Sequence, residues 1–302
     1  MATLRTTLPD LYLDRLAYLE DVLFSEMPIE DGISQNILKV RDTDKPIVRT
    51  TTVASFGTVP IKVEGANVTY DELAQGFDKA YTVDTYELGF RTSKEALDDE
   101  QEEVVSNAAR ELGSSMFYTY EVDHANLFNN GFTSTTGSPD GVALFSTAHP
   151  LVGGGTLRNR LATDSDLSID SLRTALNDIA DTTDDAGKLI HWRPRKLLVP
   201  YELKWLAKEI VDSPDKPDTP DRAINAMREE GLVVIAWPYL TDADAWFLLA
   251  EPEKLEVRTY WRERPNVYHD WDFDSSSMKV KIRSRWIRGW SEFKGTYGSP
   301  GA

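Results

Sequence analysis

Four histidines, His124, His149, His191 and His269, are the residues best suited to catalysis or metal binding in a chain without cysteine. They are scattered. His124 falls in a helix-like segment, but no His or carboxylate completes a His-Glu-x-x-His set around it, so no metal site is expected. All four read as ordinary surface or half-buried histidines. No Gly-x-Ser-x-Gly elbow occurs, which leaves a hydrolase triad without an anchor. The pairs Asp98-Asp99, Glu102-Glu103, Asp184-Asp185 and Glu229-Glu230, with eight tryptophans, would suit a carbohydrate-active enzyme with two catalytic acids. However, 50 acidic residues among 302 generate adjacent pairs by chance, and most such pairs are solvated helix faces. Gly153-Gly154-Gly155 lacks a following Gly-Lys-Ser/Thr and reads as a connector, not a phosphate loop. Asn67-Val68-Thr69 matches a glycosylation sequon only by chance, since no secretion signal accompanies it. No cofactor is expected.

One patterned charge set remains. Lys279, Lys281, Arg283 and Arg285 alternate with Met278, Val280, Ile282 and Trp286, giving a strand with one basic and one apolar face. Such a face could hold phosphate. Its expected partner is acidic protein surface, densest at Asp98, Asp99, Glu100, Glu102 and Glu103.

The elements that position these residues sit in a chain long enough for one large or two ordinary domains. Hydrophobic residues make up 41% and no run approaches 18 apolar residues, so no membrane span is expected. The start, Met1-Ala2-Thr3-Leu4-Arg5, lacks a secretory apolar run. Zero cysteines exclude disulfides and thiolate sites and fit a reducing cytoplasm. A net charge of −17 argues against a dedicated nucleic-acid binder, though an acidic wall would keep packed DNA from sticking.

Leu8, Leu11, Leu16, Leu19, Val22 and Leu23 predict a short helix ended by Pro28 and Asp31-Gly32, and residues 41–50 an extended arm. Thr50 to Val63 is rich in β-formers, and Tyr81 to Phe90 sets Tyr86, Leu88 and Phe90 on one face; together they predict a hairpin with a polar tip at Asn67 to Lys79. Two strands with so little apolar surface must lean on something else. Capping-box spacings at Thr92–Glu95 and Asp99–Glu102 open a long helix carrying Val105, Ala108, Ala109, Leu112, Met116 and Tyr120, closed at Asn129-Asn130-Gly131. The run Asp140–Pro150 then looks like a strand leaving a turn. A helix from Ile169 to about Ala180 faces inward with Leu172, Ala175, Leu176 and Ile179. A strand at Leu197–Val199, a helix on Leu203, Leu206, Ala207 and Ile210, a Pro-rich loop over Ser213–Pro220, and apolar strands at Leu232–Ala236 and Ala245–Ala250 complete an α/β subdomain.

The order of Asp140–Pro150, then Leu197-Leu198-Val199-Pro200, then Tyr239-Leu240-Thr241-Asp242 and Ala245–Ala250 resembles the major capsid protein of tailed phages with the Hong Kong 97 fold, closest to the Mu-like head-subunit branch, over roughly residues 50 to 295. The resemblance implies an α+β shell subunit with an N-terminal arm (1–48), an extended β-hairpin loop (49–91), a peripheral domain with a spine helix (92–148 with 261–302) and an α/β axial domain (149–260). It implies hexamers and pentamers of one subunit closing an icosahedral virion shell around double-stranded DNA, without sequence-specific binding and without a membrane. Assembly in the host bacterial cytoplasm, a separate scaffolding protein, a portal and, as an optional partner, a decoration protein follow from the same resemblance. Tyr86, Phe90, Asp98, Asp99, Glu102, Glu103, Lys279, Lys281, Arg283 and Arg285 are the candidate subunit-interface residues. The alternatives are an encapsulin-like cargo shell within the same fold and, from another class, a soluble acidic hydrolase.

Overall fold

Val105, Ala109, Leu112, Met116 and Tyr120 recur at helical spacing and are all buried, so they make one continuous face of a long helix. The computed structural model describes residues 19–65, 67–98, 102–214, 224–272 and 274–302. In chain order these form α1 (residues 19–25), α2 (Ile33–Ile37), β1 (Lys39–Asp42), β2 (Ile47–Val53), β3 (Gln75–Thr82), β4 (Asp84–Ser93), α3 (Lys94–Asp98) and α4 (Glu102–Asn129). There follow β5 (His149–Pro150), β6 (Thr156–Leu157), α5 (Ile169–Ala180), β7 (Lys196–Val199), α6 (Lys204–Asp212), β8 (Val233–Ala236), β9 (Trp246–Leu249), β10 (Val257–Asp272), β11 (Ser277–Trp290) and β12 (Thr296–Ser299). The 28 residues of α4 span roughly 42 Å.

That length lets α4 serve two cores. Its first half packs on a sheet of order β1-β10-β11-β4, where Trp261, Met278, Val280, Ile282 and Trp286 point at it. Tyr120 stacks on Trp261 at 4.8 Å. Leu19, Leu23 and Met27 of the N-terminal segment fill the same core. A Cβ at Gly113 would collide with the Leu23 carbonyl, so glycine is what lets α1 cross α4 this closely. The far end of α4 inserts Ala125 and Phe128 into a second core around the sheet β12-β9-β7-β8, with β7 and β9 buried along their whole length. Helix α5, started by a Ser168–Ser171 capping box, closes that core with Leu172, Ala175 and Ile179. Glu121 sits where the units meet: it accepts from the Ser34 amide at 3.2 Å, the Ser34 hydroxyl at 2.5 Å and Trp237 Nε1 at 2.8 Å.

Several expectations need correcting. Of the helix predicted over 8–27, residues 19–25 are helical, and residues 8–18 lie outside the described residues. The extended arm begins instead with β1, paired in parallel with β10. The strand expected over 50–63 stops at Val53, and its partner is β3, with Ile47 opposite Thr82. The run 81–90 breaks at Val83, after which β4 leaves the hairpin and pairs with β11. Asp140–Ala148 forms bends, not a strand, because Asp140 and Asn159 side chains take the backbone bonds a ladder would use. Leu206, expected inward, is 40% exposed, while Val211 takes its place in the core. The Pro-rich loop falls largely outside the described residues.

Candidate assembly surfaces

Beyond Val53 the chain keeps its β-forming residues but has no strand to pair with among the described residues. The described residues of 54–74 carry no ladder, only a turn at Glu64-Gly65, where Gly65 adopts φ +80°. Ala54 N–H donates to the Ala74 carbonyl at 2.9 Å and Gly57 N–H to Asp71 at 2.8 Å, so the loop is tied at its stem. Along its length Phe56, Val59, Ile61, Val63, Val68, Tyr70 and Leu73 are exposed, Val59 by 95% and Ile61 by 96%. Burying a side chain of this kind is worth about 1.5–3 kcal/mol, so a contiguous exposed set marks a binding surface. The stem is fixed by Val48, Val83 and Tyr260, with Ile287 packed against them.

A second surface is the face of the first sheet turned away from α4. Strand β11 alternates as expected: Met278, Val280, Ile282 and Trp286 are buried, Lys279 and Lys281 exposed, Arg283 and Arg285 half-buried. Three of the four cations have partners on neighbouring strands; the side chains of the acidic 98–103 block lie outside the described residues. Lys279 pairs with Asp272 at 2.6 Å, Lys281 with Glu87 at 3.5 Å, and Arg283 with Glu87 at 2.9 Å and Glu263 at 3.7 Å. The Lys279 hydrogen bond holds the Asp272 carboxyl below its usual range. Arg285 sits in register between Thr85 and Glu263, its Nε buried without a hydrogen bond. Gly89, opposite Lys281, leaves a groove of about 680 Å³ lined by Glu87, Arg91, Tyr268, Lys279 and Lys281.

Of the other interface candidates, Tyr86 stacks on Trp286 at 3.7 Å, nearly parallel, and burial pushes its phenol up to about 12. Phe90 packs against the same core, so both side chains point toward α4 and not away from the subunit. Asp99 lies outside the described residues, as do the side chains of Asp98, Glu102 and Glu103; the backbone of Asp98 ends α3, and Glu102 and Glu103 begin α4.

A patch that the sequence pattern hides lies on the unit built around the sheet β12-β9-β7-β8. Tyr201, Trp205 and Leu206 at α6 are exposed, as are Ile224 and Val233, and Lys204 rides over the Tyr201 and Trp205 rings at 4.8 and 5.2 Å. The only signal was that Trp205 falls off the inward stripe of Ala207 and Ile210.

The histidines also differ from expectation. His124 and His149 are fully buried. His124 Nδ1 lies 2.6 Å from the Tyr120 carbonyl, its Nε2 has no partner, and burial pulls its pKa down to about 4. His149 contacts Asp140 at 2.6 Å. Among the described residues no group of three or more His, Cys, Asp or Glu side chains could hold a metal, and no helix is long and apolar enough to cross a membrane. The tryptophans imagined at a sugar site are mostly structural: Trp237, Trp246, Trp261 and Trp286 are wholly buried.

A model of the phage capsid protein family matches residues 76–299. Among solved structures, the chain is similar to the capsid structure of the cyanophage P-SCSP1u, with a TM-score of 0.60 at 10% identity over 90% of this chain and 88% of that one. It is similar to a chain of Microbacterium phage Oxtober96, with a TM-score of 0.56 at 12% identity over 90% and 91%. It is similar to a virus-like particle from Pyrococcus furiosus, with a TM-score of 0.54 at 8% identity over 94% and 98%. A search of curated proteins gives no match. At these identities the likeness is one of fold, and that fold is the Hong Kong 97-like arrangement expected from the order of motifs.

Proposed function

Because the chain belongs to the phage capsid protein family, we propose that its copies form the hexamers and pentamers of an icosahedral head that encloses double-stranded DNA. The role is structural, and the site of function is the set of surfaces where one copy meets the next. The observation that carries this reading is the loop of residues 54–74, whose apolar side chains are too exposed to serve the subunit's own core. In a closed shell, a protruding segment of this kind supplies one of the heterologous contacts that symmetric assembly requires. The segment 49–91 is the extended loop, 92–148 with 261–302 the peripheral unit, 149–260 the axial unit, and 1–48 the arm. The basic β11 face, whose cations are also held by Glu87, Glu263 and Asp272, meets acidic surface of a neighbouring copy at its exposed end, Lys279 and Lys281. A separate scaffolding protein, a portal and, optionally, a decoration protein complete the head, which assembles in the host cytoplasm. The net charge of −17 suits an inner wall that does not retain DNA.

A shell filled with protein cargo is the second reading, built on the same fold. Particles purified from expressing cells distinguish the two by whether they contain nucleic acid or a protein. The loop assignment is tested by joining Ala54 to Ala74 through a short Gly-Ser turn, since those two residues already hydrogen-bond. Circular dichroism should be unchanged and sedimentation should lose all species above the single subunit. Normal particles from the shortened chain would sink the assignment.

A further inference from the structure

At the foot of the hairpin a groove of about 480 Å³ lies between β1 and β2, each of which has an open edge among the described residues. Three arginines line it: Arg41 on β1, Arg49 on β2 and Arg258 on β10. Strand β2 turns Val48 and Thr50 inward, which leaves Arg49 exposed, and Arg41 is exposed opposite Tyr260. The acids at the groove already have partners. Glu256 pairs with Arg258 and, at 3.8 Å, with Lys39, and it accepts from the Ser291 hydroxyl at 3.0 Å; Glu292 pairs with Lys294. Arg258 also donates to the Tyr260 hydroxyl at 3.2 Å, and its Nε is buried without a hydrogen bond. Arg41 and Arg49 have no acidic partner among the described residues. Burial holds the Lys39 ammonium below its usual range, and the charges of Arg258 and Arg41 add to the effect against Glu253. The groove is thus a place of positive potential on a chain of net charge −17.

The complement to that groove lies at the other end of the same sheet. Asp98, Asp99, Glu100, Glu102 and Glu103 put five carboxylates into six residues. The helices that flank them start from the turn between β10 and β11. Ser93 stands opposite Ser277, Ser277 opposite Asp272, and Lys94 N–H donates to the Ser276 carbonyl at 3.0 Å. From Arg258 to Asp272, β10 covers roughly 45 Å. Only three residues separate the end of α3 from the start of α4, too few to carry the acidic block back to the groove. The two surfaces cannot meet within one copy. Between copies they can meet head to tail.

We propose that the groove of Arg41, Arg49 and Arg258 takes the acidic segment 98–103 of a second copy, carboxylates against guanidinium groups. This rests on the reading that copies of the chain assemble, and it adds which surfaces they join. A guanidinium offers a planar pair of N–H donors that fits a carboxylate bidentately, and it keeps its charge when water is excluded. A nucleic-acid backbone fits less well, because Glu256 and Glu292 stand at the same groove. Since the two surfaces differ, the contact is heterologous. Each copy offers its groove to one neighbour and its acidic block to another, and repetition closes a ring or continues as a string.

The test reverses charge in the full chain. Arg41→Glu with Arg49→Glu, and separately Asp98→Lys with Asp99→Lys, should each raise the concentration for half-assembly by about tenfold or more in sedimentation, with circular dichroism unchanged. All four substitutions in one chain should restore most of the loss. Normal assembly of both reversed proteins, or no recovery in the combined one, overturns the inference and leaves the shell reading intact. A wild type that stays a single subunit at every concentration overturns both. Normal particles from the Arg41→Glu, Arg49→Glu chain that have lost nucleic acid would give the groove to nucleic acid and overturn the inference as well. A covalent readout decides if a reversed chain does not fold. The chain has no cysteine, so Thr51→Cys at the groove with Gln101→Cys in the block leaves every charge in place. Treated with a short bismaleimide, that protein should give trimers and higher species on denaturing gels; monomers and dimers alone overturn the contact.

Discussion

His124 and His149 are both sealed in the core, each against its own polar partners. His124 has one acceptor at Nδ1 and an unpartnered Nε2, and burial holds it neutral with a pKa near 4. In the unfolded chain it titrates at about 6.5, so between these values the unfolded state binds more protons. Its contribution is present above that upper value and is lost as pH falls toward 4, by roughly 3 kcal/mol at most. Chemical denaturation across this window should show the loss, and His124→Phe should flatten it. An unchanged acid slope in the variant would mean that other groups carry it. Neither histidine announced this in the sequence. Burial of a polar residue depends on partners far along the chain, such as Thr296 for the His149 network, and local spacing carries no record of them. The charged alternation of Lys279 to Arg285 was legible because both its faces lie within one strand. Its partners Glu87 and Glu263 were not, since two other strands bring them.

At the scale of elements, periodicity sufficed wherever a segment buries one face against the subunit itself. The strands β7, β9 and β11 and the helices α4 and α5 fall where their apolar repeats put them. It failed at Thr50 to Val63, whose residues favour a strand but find no partner beyond Val53 among the described residues. Propensity for a pleated surface is realised only when a neighbouring strand or face is available. The crossing of α1 over α4 was invisible as well, because a lone glycine in a helix has several explanations. Gly113 provides a test in which the sign decides. In an exposed helix, Gly→Ala stabilises by about 0.5–1 kcal/mol. Here the new methyl group meets the Leu23 carbonyl, which is backbone and cannot swing away. Gly113→Ala should instead destabilise by about 1–3 kcal/mol in urea unfolding, as overpacked sites do. A stabilised variant would show that α1 does not dock there.

For the whole molecule, the decisive feature is an imbalance between what the chain buries and what it leaves out. Two well-filled cores share one long helix, so the subunit has no need of the loop 54–74, the α6 patch or the exposed end of the basic face for its own stability. Under the proposed function, those surfaces are the ones that further copies would cover. Among the described residues preceding β2, Leu19, Leu23, Met27 and Ile29 pack in the core around α4, and Ile37 and Leu38 in the core around β7 and β9. Under the proposal of a separate scaffolding protein, expression of this chain alone is expected to give capsomers, tubes or shells of mixed size, narrowed by co-expression with a scaffold. Negative-stain electron microscopy of the purified full chain tests the central claim most directly. The account predicts ring-shaped capsomers or larger curved assemblies built from them. A uniform field of single folded subunits, at concentrations where capsomers should form, would contradict it.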